Sequence, residues 1–246
     1  MKKISLALLL VSMIGFWGCN PNEEPIVDNK PAMLNFNIEH TIGGTDLALF
    51  TMHTLPSGED VNLSRLSYIL SNFYLVGADG TKTTFDSMYA IVEVQNNNTS
   101  FSLDQVNLGD YSAIGFSVGL DSNTNHSNPN IYPTDHPLAP INNSLHWSWQ
   151  GGYIFMAIEG KTLADTASFV FHLAGAENRV DFEFPVDFTV QSGPTLQVGM
   201  NYDLAKLLTN YNIADEGAST HSTTDPITMK LFANMKNVFT LNSVSP

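Results

Sequence analysis

From Ala32 onward the chain is a succession of short apolar runs, each the length of a strand: 33–39, 47–52, 66–76, 89–94, 112–120, 153–159, 169–173, 180–190 and 196–200. Turn chemistry separates them, in Gly43-Gly44, Pro56-Ser57-Gly58, Asp79-Gly80, Gln95-Asn96-Asn97-Asn98 and Ser192-Gly193-Pro194. These residues supply positive φ, a preset φ or local side-chain bonds to the backbone. A chain of many strand-length runs buries its apolar faces by packing sheet on sheet. The expected fold is therefore all-β: a single-domain β-sandwich, antiparallel and Greek-key-like, with long loops and one or two short helices. The helix candidates are 202–208 and a segment opening at Asp225-Pro226. There an Asp N-cap and a Pro at the first helical position precede Ile227, Leu231 and Met235 at helical spacing. No internal repeat is visible.

The N-terminus reads as an export signal. Lys2-Lys3 form a basic region, residues 4–16 an apolar one, and Gly18-Cys19 stand where a lipoprotein signal is cut. This divides the chain into a signal peptide at 1–18, a polar Pro-bearing tether at 19–31 and a folded domain at 32–246. Lipidation is expected at Cys19, the only cysteine, so the folded domain has no internal disulfide. The protein is expected in the cell envelope, as a periplasmic or outer-membrane lipoprotein that meets the membrane through its lipid alone. Without the leader it carries 8 basic and 24 acidic residues, a formal charge of −16. That balance excludes nucleic acid as a partner.

The densest aromatic run is His146-Trp147-Ser148-Trp149-Gln150-Gly151-Gly152-Tyr153, continuing through Ile154 to Glu159-Gly160. In its second half, period-two alternation sets Ile154, Met156 and Ile158 on one face and Tyr153, Phe155, Ala157 and Glu159 on the other. Trp147 and Trp149 share a side, just before a Gly pair. The stretch from 121 to 143 that leads into it is rich in Asn and Pro, and long loops in compact domains tend to be functional. Its opening, Asp121-Ser122-Asn123-Thr124-Asn125, imitates a calcium loop. However, His126 replaces the turn glycine and Pro133 the closing glutamate, which argues for an ordinary Asn-rich turn.

The seven histidines form no close paired motif, so any metal site must be assembled from distant segments. His53 and His221 read as surface residues and His136 as a loop residue. His172 lies within Phe169-Val170-Phe171-His172-Leu173, on the face opposite both phenylalanines. An imidazole in a buried strand needs a partner, either a hydrogen bond or a metal.

The succession Leu66-Ser67-Tyr68-Ile69-Leu70-Ser71-Asn72, Ile114-Gly115-Phe116-Ser117-Val118-Gly119-Leu120-Asp121, Asn125-His126, Pro137-Leu138, the run from His146 to Tyr153, Glu159-Gly160 and Phe171-His172-Leu173 resembles the MbnP-like family of bacterial copper-binding proteins. The resemblance covers residues 32–239, and its most specific part is Trp-x-Trp-x-x-Gly-Tyr followed by Glu-Gly. It implies an exported β-sandwich that binds copper and is not an enzyme. It also implies a partner, a di-haem cytochrome c peroxidase-like protein that oxidises a tryptophan to kynurenine. Carried over by motif, the copper ligands fall on His126 and His172, and the modified tryptophan on Trp147 or Trp149. His146 stands where Phe or Tyr is usual and is a further candidate ligand, as is His40 at the end of the first strand.

The chemistry is coherent. The indole nitrogen's lone pair belongs to its ring, so tryptophan is no ligand, whereas kynurenine offers an amine and a ketone. Imidazoles suit copper without thiolates. A competing reading is a cell-surface carbohydrate-binding or adhesion β-sandwich, calcium-assisted. A hydrolase is disfavoured by the lack of a Gly-x-Ser-x-Gly elbow or a cysteine nucleophile.

Overall fold

The computed structural model describes residues 31–141, 144–148, 151–164 and 166–246. The leader, Cys19 and most of the tether lie outside these residues, as does Trp149. The strands are β1 (Ala32–Ile42), β2 (Thr45–Asp46), β3 (Met52–Thr54), β4 (Asp60–Gly77), β5 (Lys82–Phe85), β6 (Ala90–Glu93), β7 (Ser100–Val106), β8 (Gly109–Val118), β9 (His146–Ser148), β10 (Gly152–Thr162), β11 (Ser168–Ala174), β12 (Val180–Val190), β13 (Leu196–Asp203), β14 (Ser219–Thr220) and β15 (Phe239–Ser245). Four short α-helices accompany them: α1 (Ser122–Asn125), α2 (Leu204–Leu207), α3 (Ile213–Glu216) and α4 (Pro226–Met235).

Two sheets form the expected sandwich. The smaller runs β15-β13-β1-β2, with β7 also on β1. The larger runs β12-β8-β4-β10-β11-β14, with β3, β5 and β6 also on β4 and β9 on β10. β4 serves so many partners because it changes neighbours along its 18 residues. Its first half pairs with β10 and its second half with β8, and the register shifts between Ser71 and Tyr74. Asn72 takes a left-handed φ of 53° there, a conformation that asparagine tolerates better than most residues.

The sheets differ from the antiparallel expectation at two pairings. β1 pairs with β13, and β11 with β14, in parallel. Parallel neighbours need a long crossover, and the connection from β1 to β13 is most of the larger sheet, a separation that no local sequence signal reports. The apolar run at 47–52 is not one strand. Phe50 adopts φ 60° and its amide bonds the Leu63 carbonyl, which breaks the extended run before β3 begins at Met52. The four helices exceed the one or two expected. α2 is shorter than its candidate because Tyr202 and Asp203 finish β13, and the Asp203 carboxylate caps the helix at the Ala205 amide. α4 begins as expected, with the Asp225 side chain accepting from Thr228 N and Pro226 in the first turn.

Between the sheets lie the fully buried rings of Tyr68 and Tyr202, stacked at 5.3 Å, and the Phe36, Phe73, Phe101 and Phe116 cluster. Tyr202 Oη donates to Met156 Sδ at 3.3 Å, which fixes the even positions of β10 toward the core. The odd positions face outward, yet Tyr153 and Phe155 are also fully buried. The long loop covers them: Tyr153 Oη donates to the Leu138 carbonyl, and Tyr153 N to Asn125 Oδ1. Asp121 caps α1, accepting from the amides of Asn123 and Thr124 and from the Thr124 hydroxyl, so the calcium-like opening is a helix cap.

Gly119 shows how closely this cover fits. Its φ is +102° and a Cβ there would lie 2.3 Å from the Phe155 ring. Gly119→Ala should destabilise the protein by about 3 kcal/mol, combining backbone strain with overpacking. Gly80→Ala, at φ +84° in open space, should cost only about 1 kcal/mol. Urea midpoints of the two variants measure the difference, and equal shifts would contradict the packing account.

Candidate metal centre

The outward face of β10 opens at Glu159, and there the polar residues gather. β10 lies between β4 and β11, with Ala157 opposite both Ser67 and His172, and Glu159 opposite both Arg65 and Val170. Arg65, Glu159 and His172 thus come from three adjacent strands onto one face. Glu159 Oε1 accepts from Arg65 Nη1 at 2.8 Å and from His172 Nε2 at 2.9 Å. Burial alone would raise the Glu159 pKa, but these two donors outweigh it and hold the carboxyl below its ordinary value. Burial also lowers the His172 pKa, against the raising effect of Glu159, so the imidazole is neutral at pH 7.

A neutral imidazole that donates from Nε2 carries its lone pair on Nδ1. His172 Nδ1 is buried and has no hydrogen-bond partner among the described residues. A carboxylate holding one ring nitrogen while the other presents a free lone pair is the usual arrangement of a metal-binding histidine.

The second imidazole is His221. β14 pairs in parallel with β11, with Ser219 opposite Val170 and Thr220 opposite Phe171, so the next residue of each chain brings His221 beside His172. Their ring centroids are 4.8 Å apart at 74°. Trp147, on β9, closes the third side, 6.2 Å from each of the two imidazole rings. His221 is exposed, in keeping with its reading as a surface residue, but that reading missed its neighbours. The only local signal is a two-residue strand, Ser219-Thr220, just ahead of the Asp225-Pro226 cap.

The other candidates have different neighbours. His40 sits between the sheets against Tyr68 and Tyr202, its Nε2 facing the Tyr68 hydroxyl at 2.9 Å. His126 ends α1 at the exposed surface, with Nδ1 donating to the Ser122 carbonyl. Its neighbour Asn125 is buried against Gly152, which ties the Asn-His pair to the start of β10. His146 packs edge-on against Tyr153 at 4.7 Å, and burial lowers its pKa. Successive residues of β9 point to opposite sides, so His146 turns toward Tyr153 and Trp147 toward His172. Trp149 lies outside the described residues.

With this geometry in hand, the chain can be set beside known proteins. The MbnP family profile matches residues 31–225. The chain belongs to the MbnP family. Among solved structures, the fold is similar to that of MbnP from Methylosinus trichosporium, with a TM-score of 0.55 and 18% identity over 88% of this chain and 99% of that one. At that identity the likeness concerns the fold. No curated protein matches. Among the described residues, no group of three or more His, Cys, Asp or Glu side chains is arranged to hold a metal. In this MbnP-family chain the cluster is instead two imidazoles and an indole.

His40 generates a pH prediction. Burial lowers its pKa from 6.5 to about 4, so below pH 6.5 the unfolded chain takes up the proton first. Its contribution to stability is complete above pH 6.5 and is lost as pH falls toward 4, amounting to about 3 kcal/mol. Urea unfolding of wild type and His40→Leu between pH 7.5 and 4 should show the variant lacking this slope. Identical slopes would refute the assignment.

Proposed function

We propose that the protein is a non-enzymatic, exported copper-binding protein whose metal centre is built on His172 and His221, with Trp147 as the residue oxidised to kynurenine. The observation that carries this reading is the buried His172 Nδ1, without a hydrogen-bond partner among the described residues, on a ring that Glu159 holds at Nε2 and that lies 4.8 Å from a second imidazole, ring to ring. Two imidazoles and no thiolate suit copper, which stands highest among the common divalent metals in affinity for such donors. The ion supplies a soft, imidazole-seeking charge. Glu159 fixes the tautomer and orientation of His172, while Arg65 keeps Glu159 charged.

Two imidazoles leave a copper ion short of donors, and the third wall of the site is an indole that offers none. Opening the Trp147 ring would place an aniline nitrogen and a ketone beside both histidines. A di-haem cytochrome c peroxidase-like partner is the oxidant that this reading requires. The reading leaves His126, His146 and His40 outside the donor set: the first is exposed at the end of α1, the second packs against Tyr153, and the third meets the Tyr68 hydroxyl through Nε2 between the sheets. The Lys2–Cys19 leader supports export and lipid anchoring.

Copper titration of the purified protein against a competing chelator tests the ligand set. His172→Ala and His221→Ala should each weaken binding by no less than the roughly 10–100-fold typical of losing even an outer-shell partner. His126→Ala and His40→Leu should leave it near wild type. Retention of full affinity by both His172→Ala and His221→Ala would end this assignment. Peptide mass spectrometry on material made with the cytochrome should show one carbon exchanged for oxygen at Trp147. An unmodified Trp147 in copper-starved native cells that contain the cytochrome would remove it from the reading. Cys19→Ala should release the protein from membranes, and a wild type that is already soluble would contradict the anchor.

A further inference from the structure

Arg65 makes more contacts than its pairing with Glu159 requires. Its side chain is only 16% exposed, and every nitrogen of the guanidinium is engaged. Nη1 donates to Glu159 Oε1 at 2.8 Å, Nε to Ser67 Oγ at 3.3 Å, and Nη2 both to the Ser144 carbonyl at 3.3 Å and to Ser144 Oγ at 2.6 Å. These acceptors come from three places: its own strand, β10, and the segment that leads into β9. Ser67 Oγ also accepts from Gln95 Nε2 at 2.8 Å. A single chain of bonds therefore runs from Gln95 through Ser67, Arg65 and Glu159 to His172. The buried side-chain atoms without a partner among the described residues are Gln95 Oε1 and His172 Nδ1, one at each end of that chain.

β9 needs such an anchor. It is three residues long; its pairing with β10 joins Ser148 to Gly152 and His146 to Tyr153 with an irregular register, and just before it Ile154 N donates to the carbonyl of the buried Leu145. A ribbon that short does not hold itself in water. Ser144 stands three residues before Trp147, and its two bonds to Arg65 tie the approach to β9 to the carboxylate that orients His172.

We propose that Arg65 is a positioning residue for the tryptophan: its planar fork seats Trp147 against His172 and His221, so that the ring destined to become a donor lies over the imidazoles it must join. The inference rests on the copper reading of the same site. The fork is essential because its donors diverge from one plane to reach Glu159 and Ser144 together. A lysine ammonium is a point charge that keeps the attraction to Glu159 but does not span both.

The test uses the mature protein carrying Trp149→Phe, in which Trp147 is the remaining tryptophan once the leader with Trp17 is removed. Arg65→Met, Arg65→Lys and Ser144→Ala are compared with this parent. Without metal, hydrogen exchange of the 144–148 segment and acrylamide quenching of Trp147 are measured, and copper titration follows. In Arg65→Met the segment should exchange roughly tenfold faster or more, as expected on losing charge-assisted hydrogen bonds, and Trp147 should become more quenchable. Arg65→Lys should restore part of both, and Ser144→Ala should shift both in the same direction by less. Copper affinity should fall in the same order. Parent-like exchange and quenching in a folded Arg65→Met protein would overturn the proposal. Should that variant not fold, parent-like behaviour of Ser144→Ala would do the same. A wild type that takes up no copper would sink the metal-centre reading alone, because exchange and quenching are read without metal.

Discussion

The alternation of β10 is the constraint on which the rest depends. Met156 and Ile158 point into the sandwich, where Met156 meets Tyr202, and this forces Ala157 and Glu159 outward. Because β4 and β11 pair with β10 in fixed register, the same constraint turns Arg65 and His172 outward beside Glu159. A slip of one residue would exchange the faces, burying the Glu159 carboxylate among phenylalanines and exposing Met156. The polar cluster is thus a consequence of the core, which leaves these three side chains one shared face.

Much of this was legible in the sequence. The alternation from Tyr153 to Glu159 and the placement of His172 opposite Phe169 and Phe171 follow from the period of two, and the structure has both. The Asp225-Pro226 cap was equally visible because capping is local. The features that could not be read are those set by distant pairing. His221 comes to His172 through a two-residue parallel strand, about fifty positions further along the chain, too short to leave a pattern. The parallel pairing of β1 with β13 spans most of the chain. β7 was overlooked because its run from Ser100 to Val106 has a weak apolar alternation, and only its pairing with β1 makes it a strand.

The long loop acts as a cover. Tyr153 and Phe155 are on the outward face, where an antiparallel sheet is often solvated, yet neither has exposed surface. Leu138, Asn125 and Gly119 meet them there. The cover ends at Glu159, so the polar cluster lies at the margin between covered and open sheet. A groove of about 440 Å³ begins at that margin, lined among others by Glu159, Val170 and Phe50. The margin combines burial, which lowers the His172 pKa, with access from solvent.

The energetics of the Arg65–Glu159–His172 chain fit a role in positioning better than one in holding the fold together. Its three side chains are 16%, 30% and 15% exposed, so solvent screens the attraction between them. A pair in such a setting contributes on the order of 1 kcal/mol to stability. The aromatic and aliphatic core contributes far more, since each fully buried ring or branched side chain adds roughly 1.5–3 kcal/mol before entropy is counted. What the chain does supply is direction. Hydrogen bonds with an ionised partner are short and angularly demanding, so a carboxylate that accepts from both a guanidinium and an imidazole fixes the plane of each. The orientation of His172, and with it the direction of the Nδ1 lone pair, is therefore set by residues whose loss the sandwich can survive.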